Sequence, residues 1–234
     1  MDERVRQAGL LHERAVFTGD AELLAAADRE LDAAEADLAV ARGKLMHARF
    51  VLHRDRDPSA AEGDPGELLL FERAAGLYRT LGDIRGQADA LFWVGCFHQV
   101  ISRDNSTAIP VLKQSLELAS QAGDKAVMSE VLRHLGIAAH ACGDLETARQ
   151  RLEESTLLRR EIGLLPAVAS NMVGLAYIAA AQDRADDALA LISEGCAIAQ
   201  ASQADRTLRQ LNEARAAISA QHPTSPPEIQ RPGR

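Results

Sequence analysis

Aromatic residues are scarce in this chain: 3% of its 234 positions are Phe, Trp or Tyr, and only one is Trp. With few β-branched runs to help, the sequence has little from which to build a sheet. It also lacks a long apolar run, since spanning a bilayer takes roughly 20 consecutive apolar residues and no stretch approaches that. Met1 to Ala8 carry Asp, Glu and Arg without an apolar segment, so no secretory leader is expected. Cysteine is rare and odd in number. Cys96, Cys142 and Cys196 each fall within a helical pattern, on or near an apolar stripe. They read as small buried hydrophobes in a reducing cytoplasm rather than a disulfide framework.

Positive charge is in deficit too, with a formal net charge of -8. That argues against nucleic acid as a main partner, because phosphate binding rests on Lys and Arg. Catalytic signatures are missing: there is no Gly-x-Ser-x-Gly elbow, no His-Glu-x-x-His, no dinucleotide fingerprint and no Gly-x-x-x-x-Gly-Lys-[Ser/Thr] loop. His134, His140 and Cys142 lie near one another in sequence, with Cys96 and His98 a repeat earlier. The spacing from His134 to His140, and from Cys96 to His98, puts neither pair on one helix face, so no metal is expected. Carboxylates such as Glu146, Glu153 and Glu154 read as a solvated stripe. The expectation is a non-enzyme with no cofactor and no membrane span.

Ala and Leu abound, and 47% of residues are hydrophobic. That is enough for a core built from closely packed helices, so the chain reads as all-α. Gly82, Gly123 and Gly163 punctuate it at intervals of 41 and 40 residues, each between two stretches of helical apolar spacing. The period recurs at Gly95, Gly136 and Gly174, at Ala108, Ala148 and Ala188, at Leu112, Leu152 and Ile192, and at Ser115, Ser155 and Gly195. A helical hairpin cannot bury its apolar face alone. Copies in series therefore predict an α-solenoid of stacked antiparallel hairpins.

The predicted helices run over residues 3–18, 67–81, 85–101, 105–121, 125–141, 144–162, 165–181, 184–202 and 204–219. Between Ala21 and Arg54 the pattern allows either one long helix or two that break near Ala33 to Ala36; the lack of a stop signal favours one. Within it Leu24, Leu31, Leu38, Leu45 and Leu52 recur every seven residues, with Ala27, Ala34, Ala41 and Ala48 interleaved. Asp20, Glu22, Asp28, Glu30, Asp32, Glu35 and Asp37 make its first half acidic. Arg42, Lys44, Arg49, Arg54 and Arg56 make its second half basic. The gradient suits the helix dipole, and it also suits antiparallel self-pairing into a homodimer. The same stripe would arise in any Ala-rich helix packed inside a solenoid. By segment, the expectation is an N-terminal helical region 1–54, a charged Pro/Gly loop 55–66, repeats with a capping helix over 67–219, and a disordered Pro-rich tail 220–234. Gly43 to Gly95 is one 41-residue period plus an insertion of 11, so the repeat reaches back toward the N-terminal third.

In each unit the small residue of the first helix sits in a fixed apolar frame: Leu91, Val94, Gly95, His98; Leu132, Leu135, Gly136, Ala139; Ser170, Val173, Gly174, Tyr177. An Ala follows twelve to fourteen residues later, then a large aliphatic and a small residue. This resembles the tetratricopeptide repeat (TPR) family, in the longer form of roughly 40 residues seen in bacterial regulatory proteins, over residues 67–203. The resemblance implies a free-standing protein- or peptide-binding scaffold or adaptor in cytoplasmic regulation, its groove lined by the first helix of each unit. By helical phase the groove would carry Phe92, Trp93, Cys96 and Gln99, then Arg133, His134, Ile137 and His140, then Asn171, Met172, Leu175 and Ile178. Trp93 and Phe92 serve equally as packing between hairpins. The Lys/Asn clamp of one branch of the family is not present, since its positions read Phe92, Arg133 and Asn171. Two other readings stand beside the scaffold: a homodimeric structural protein paired through residues 21–54, and a sensor of a small molecule or signal peptide.

Overall fold

The computed structural model describes residues 2–57 and 63–221. Among them are ten helices and no strand: α1 (Glu3–Thr18), α2 (Ala21–Arg56), α3 (Pro65–Leu81), α4 (Ile84–Val100), α5 (Asn105–Gln121), α6 (Lys125–Ala141), α7 (Leu145–Glu161), α8 (Leu165–Ala181), α9 (Ala185–Ala201) and α10 (Asp205–Gln221). The chain is all-α, and the helix ends fall within a residue or two of those read from the sequence. The tail beyond Gln221, expected to be disordered, lies outside the described residues, as does part of the 55–66 loop.

The turns explain the period. Left-handed backbone recurs at Arg103, Gly123, Gly143, Gly163, Asp183 and Gln203, one residue in every twenty, so two helices and two turns make one repeat. At each turn the following N–H reaches back to a carbonyl in the last turn of the helix just ended. Asp124 N–H donates to the Ala119 carbonyl at 2.9 Å and Ala204 N–H to the Ala199 carbonyl at 2.8 Å. These bonds satisfy carbonyls that a helix end leaves without partners. The next residue then opens the next helix, and in the first seven helices it is Asp: Asp2, Asp20, Asp64, Asp83, Asp104, Asp124 and Asp144 each accept from backbone N–H groups of the first turn.

Helix α2 is a single helix of 36 residues, which decides between the two alternatives. Two hairpins share it. Its first half packs against α1, where Arg4 pairs with Asp37 and its Nη1 donates to the Ala33 carbonyl. Its second half packs against α3, where Tyr78 donates to Asp37 at 2.6 Å and Arg73 pairs with Glu35 at 2.9 Å. Residues 33–37 mark the handover, and no break is needed because Ala33, Ala34 and Ala36 all favour continued helix. The buried face is Ala36, Ala39, Val40, Gly43 and His47. The heptad leucines do not pack inside: Leu24, Leu31, Leu38, Leu45 and Leu52 are 44–59% exposed.

The chain divides into two compact units, Met1–His134 and Leu135–Arg234, and the boundary falls inside α6. In the first, α1 through α5 pack each against its neighbour in sequence around Ala36, Val40, Ala74, Leu77, Tyr78 and Ala90. In the second, α7 through α10 do the same, with α10 also reaching α8, around Val168, Met172, Ala176, Ile192, Leu211 and Ile218. The repeat residues carry this packing. A Cβ on Gly95 would stand 2.7 Å from Leu112, and one on Gly136 3.2 Å from the Ala148 carbonyl oxygen. Ala108, Ala148 and Ala188 are fully buried opposite.

Candidate partner-binding face

Trp93 is the hub of the first unit. Its ring stacks on Phe71 of α3 at 5.6 Å between centroids and meets His47 of α2 and its neighbour Phe92 edge-on at 5.3 and 5.1 Å. Its indole N–H donates to Asp89 Oδ1 at 3.1 Å, one turn back on α4. Lys44 Nζ lies 5.5 Å above the same ring and 2.7 Å from Asp89. Helix α2 thus lays the Lys44 cation over the indole face while Asp89 of α4 holds both the cation and the indole N–H, which orients the ring and leaves it partly exposed. Trp93 ties α2, α3 and α4 together and keeps part of its ring at the surface.

Beneath it runs a buried polar chain. Glu67, 1% exposed, accepts from His47 Nδ1 at 2.8 Å, and His47 Nε2 lies 3.6 Å from Cys96 Sγ. On the other side of the thiol, His134 Nε2 is 3.9 Å away, while His134 Nδ1 donates to Gln99 Oε1 at 2.6 Å. Gln99 Nε2 donates in turn to the His134 carbonyl at 3.0 Å and to Asn105 Oδ1 at 3.1 Å. The single S–H of Cys96 can donate to only one of the two Nε2 atoms that flank it, and His47 Nε2 is the nearer. Burial, with the negative charges of Glu130 and Glu67 adding, pushes the Cys96 thiol far above its ordinary pKa. A protonated thiol is a poor nucleophile, and the contacts of Cys96 link α2, α4 and α6. Cys96 meets His134 directly on one side and His47 on the other, and sequence spacing had singled out neither contact. Among the described residues no group of three or more His, Cys, Asp or Glu is arranged to hold a metal ion.

Of the expected groove residues, Trp93, Gln99, Arg133 and His134 are half-buried on α4 and α6. Phe92 and Cys96 are buried, each 3% exposed, and so serve as the floor of this face rather than its surface. Beside it, Met46, Arg49, Phe50 and His53 of α2 with Asp64 and Glu67 line a cleft of about 310 Å³.

In the second unit, Ile137 and His140 are exposed, but Asn171, Met172, Leu175 and Ile178 lie in the core and offer no surface. The correction has a physical cause. Helix α8 is apolar over most of its surface, and α7, α9 and α10 pack against it and cover all four of these positions, leaving Leu165 and Tyr177 exposed. Asn171 is instead the centre of a polar knot. It accepts from Arg159 Nη1 at 2.9 Å and donates to Ser155 Oγ at 2.9 Å and Thr156 Oγ1 at 3.0 Å. Arg159, only 1% exposed, also donates to the Ala167 carbonyl at 2.8 Å.

The chain superposes on a kinesin light chain-like protein of nearly identical TPR-like repeats from Podosopora anserina, with a TM-score of 0.52 and 14% identity, covering 82% of this chain and 99% of that one. The fold is that of TPR-like helical repeats. A looser match is BtubC (BKLC) from P. vanneervenii, with a TM-score of 0.44 and 16% identity over 87% of this chain and 93% of that one. No protein-family model matches the sequence, and no curated protein matches it. Among the described residues no helix is long and apolar enough to cross a membrane.

Proposed function

We propose that the chain is a non-catalytic protein-interaction scaffold, a repeat protein of the longer tetratricopeptide form, which takes a peptide or helix of a partner protein in cytoplasmic regulation. The observation that carries this reading is the half-buried set of Trp93, Gln99, Arg133 and His134 on α4 and α6, with Lys44 and Asp89 beside the indole. Aromatic and Arg side chains that are partly enclosed and rimmed by charge are the groups that anchor protein partners. They are also held ready: ring stacking fixes Trp93 and the Gln99 pair of hydrogen bonds fixes His134, so little side-chain entropy is lost on binding.

The test is affinity capture from the native cytosol with quantification by mass spectrometry, comparing the wild type with Trp93→Ala/Arg133→Ala. The double variant is expected to lose at least tenfold of the captured partner, and that partner, once purified, should shift the emission of the sole Trp of the wild-type chain. Undiminished capture by the double variant would remove the assignment.

A further inference from the structure

We propose that the outer face of α2 is the contact surface for a second copy of this chain, bound antiparallel with Leu38 on the two-fold axis. The sequence left two explanations of the heptad leucines, a stripe packed inside a solenoid or a seam for self-pairing. The structure removes the first, because the inward face of α2 is Ala36, Ala39, Val40, Gly43 and His47, and the five leucines point out. They form a ridge about 42 Å long, at 1.5 Å of rise per residue, with apolar residues on one edge and charge on the other. A surface helix with one face in the core has no internal use for a second apolar face repeating every seven residues.

The occupant follows from charge. Along one flank of the ridge run Asp28, Glu35, Arg42 and Arg49, all exposed, two acids followed by two bases. A two-fold axis at Leu38 sets Leu31 against Leu45 of the second copy and Leu24 against Leu52. The same operation brings Asp28 toward Arg49 and Glu35 toward Arg42. Parallel pairing would instead turn this charged flank toward the alanine flank of the second copy and leave the charges without opposite partners. A closed two-fold contact must be self-complementary, and this ridge is so in both its leucines and its charges. The ridge flank is locally neutral although the chain carries a net charge of -8, so the overall charge repels least here. On the other flank Ala41 and Ala48 are exposed and small, which lets two helices approach closely. Glu35 is held by Arg73 in the same chain, but both side chains are more than half exposed, and an exposed pair of this kind is worth little and exchanges readily.

The inference is independent of the Trp93 face, and Trp93→Ala/Arg133→Ala should leave it untouched. Sedimentation equilibrium of the wild type near 50 µM is expected to give a dimer. Leu31→Glu/Leu38→Glu/Leu45→Glu is expected to give a monomer of unchanged helicity, since the replaced side chains are exposed, with a melting temperature that no longer rises with protein concentration as that of the wild type does. Asp28→Lys/Glu35→Lys alone and Arg42→Glu/Arg49→Glu alone should each weaken self-association at least tenfold, and mixing the two should restore a dimer of one copy of each. In a Cys142→Ser background, Leu24→Cys/Leu52→Cys should cross-link on oxidation and Leu24→Cys alone should not. A monomeric wild type at 50 µM, a dimer that survives the three Glu substitutions, no restoration on mixing, or cross-linking by Leu24→Cys alone would each overturn the proposal.

Discussion

A carboxylate that opens a helix stabilises it only while ionised, and Asp104 is the strongest instance in this chain. It accepts from the Ser106 and Thr107 hydroxyls at 2.6 and 2.5 Å and from their N–H groups at 2.9 and 3.2 Å. The Ser106 hydroxyl, then the Thr107 hydroxyl and N–H, hold its pKa far below the ordinary carboxylate value of about 3.9. A pKa depressed in the folded state contributes stability that is present above the unfolded value and is lost as pH falls toward the folded one. Asp104→Ala should therefore melt below the wild type at pH 7, and the gap should close as melts are repeated between pH 4 and pH 2. An equal gap at pH 7 and pH 2 would mean the charge is not what the cap uses. Single residues were also where the sequence was least legible. Helical phase tells which positions share a face, but not how many faces a helix has covered. Asn171 and Met172 occupy the predicted phase on α8 and are enclosed, whereas Trp93 and Arg133 at the same phase on α4 and α6 keep part of their surface.

Elements were far more legible, because their ends are written in local chemistry. Gly82, Gly123 and Gly163 occupy left-handed turns, and an Asp or another opener follows each of them. The turns at Arg103 and Asp183 within units, and at Gln203 after the last unit, were harder to read because they adopt the same backbone without Gly. Their side chains bear a strain that Gly does not. Gln203→Gly and Arg103→Gly should each stabilise the fold by roughly 0.5–1 kcal/mol, the relief of strain being partly offset by the looser unfolded chain. Gly123→Ala should cost about 1–2 kcal/mol, although a Cβ there would meet nothing within 4 Å, so backbone strain and not crowding is what that variant measures. Urea melts of the three variants check the signs. A neutral Gly123→Ala would show that this turn relaxes to another backbone. The one element the sequence left open was α2, and what closed it is tertiary: α1 and α3 divide a continuous helix between them, a pattern that no residue between Ala21 and Arg54 announces by itself.

At the scale of the molecule, helices that pack on their sequence neighbours make stability approximately a sum of local terms. The chain has two compact units, and its sole Trp, Trp93, lies in the first. Fluorescence therefore reports unit 1 alone, whereas far-UV circular dichroism reports helices of both. Asn171→Ala removes the hydrogen bonds to Arg159, Ser155 and Thr156 in the core of unit 2, a loss of roughly 2–4 kcal/mol for buried partners of this kind. In urea, the circular dichroism transition of this variant should broaden and begin at lower denaturant, while the Trp93 fluorescence midpoint stays near that of the wild type. If the two probes instead move together by the full amount, the chain unfolds as one cooperative body through the continuous helix α6. The sum-of-neighbours picture would then fail for this protein.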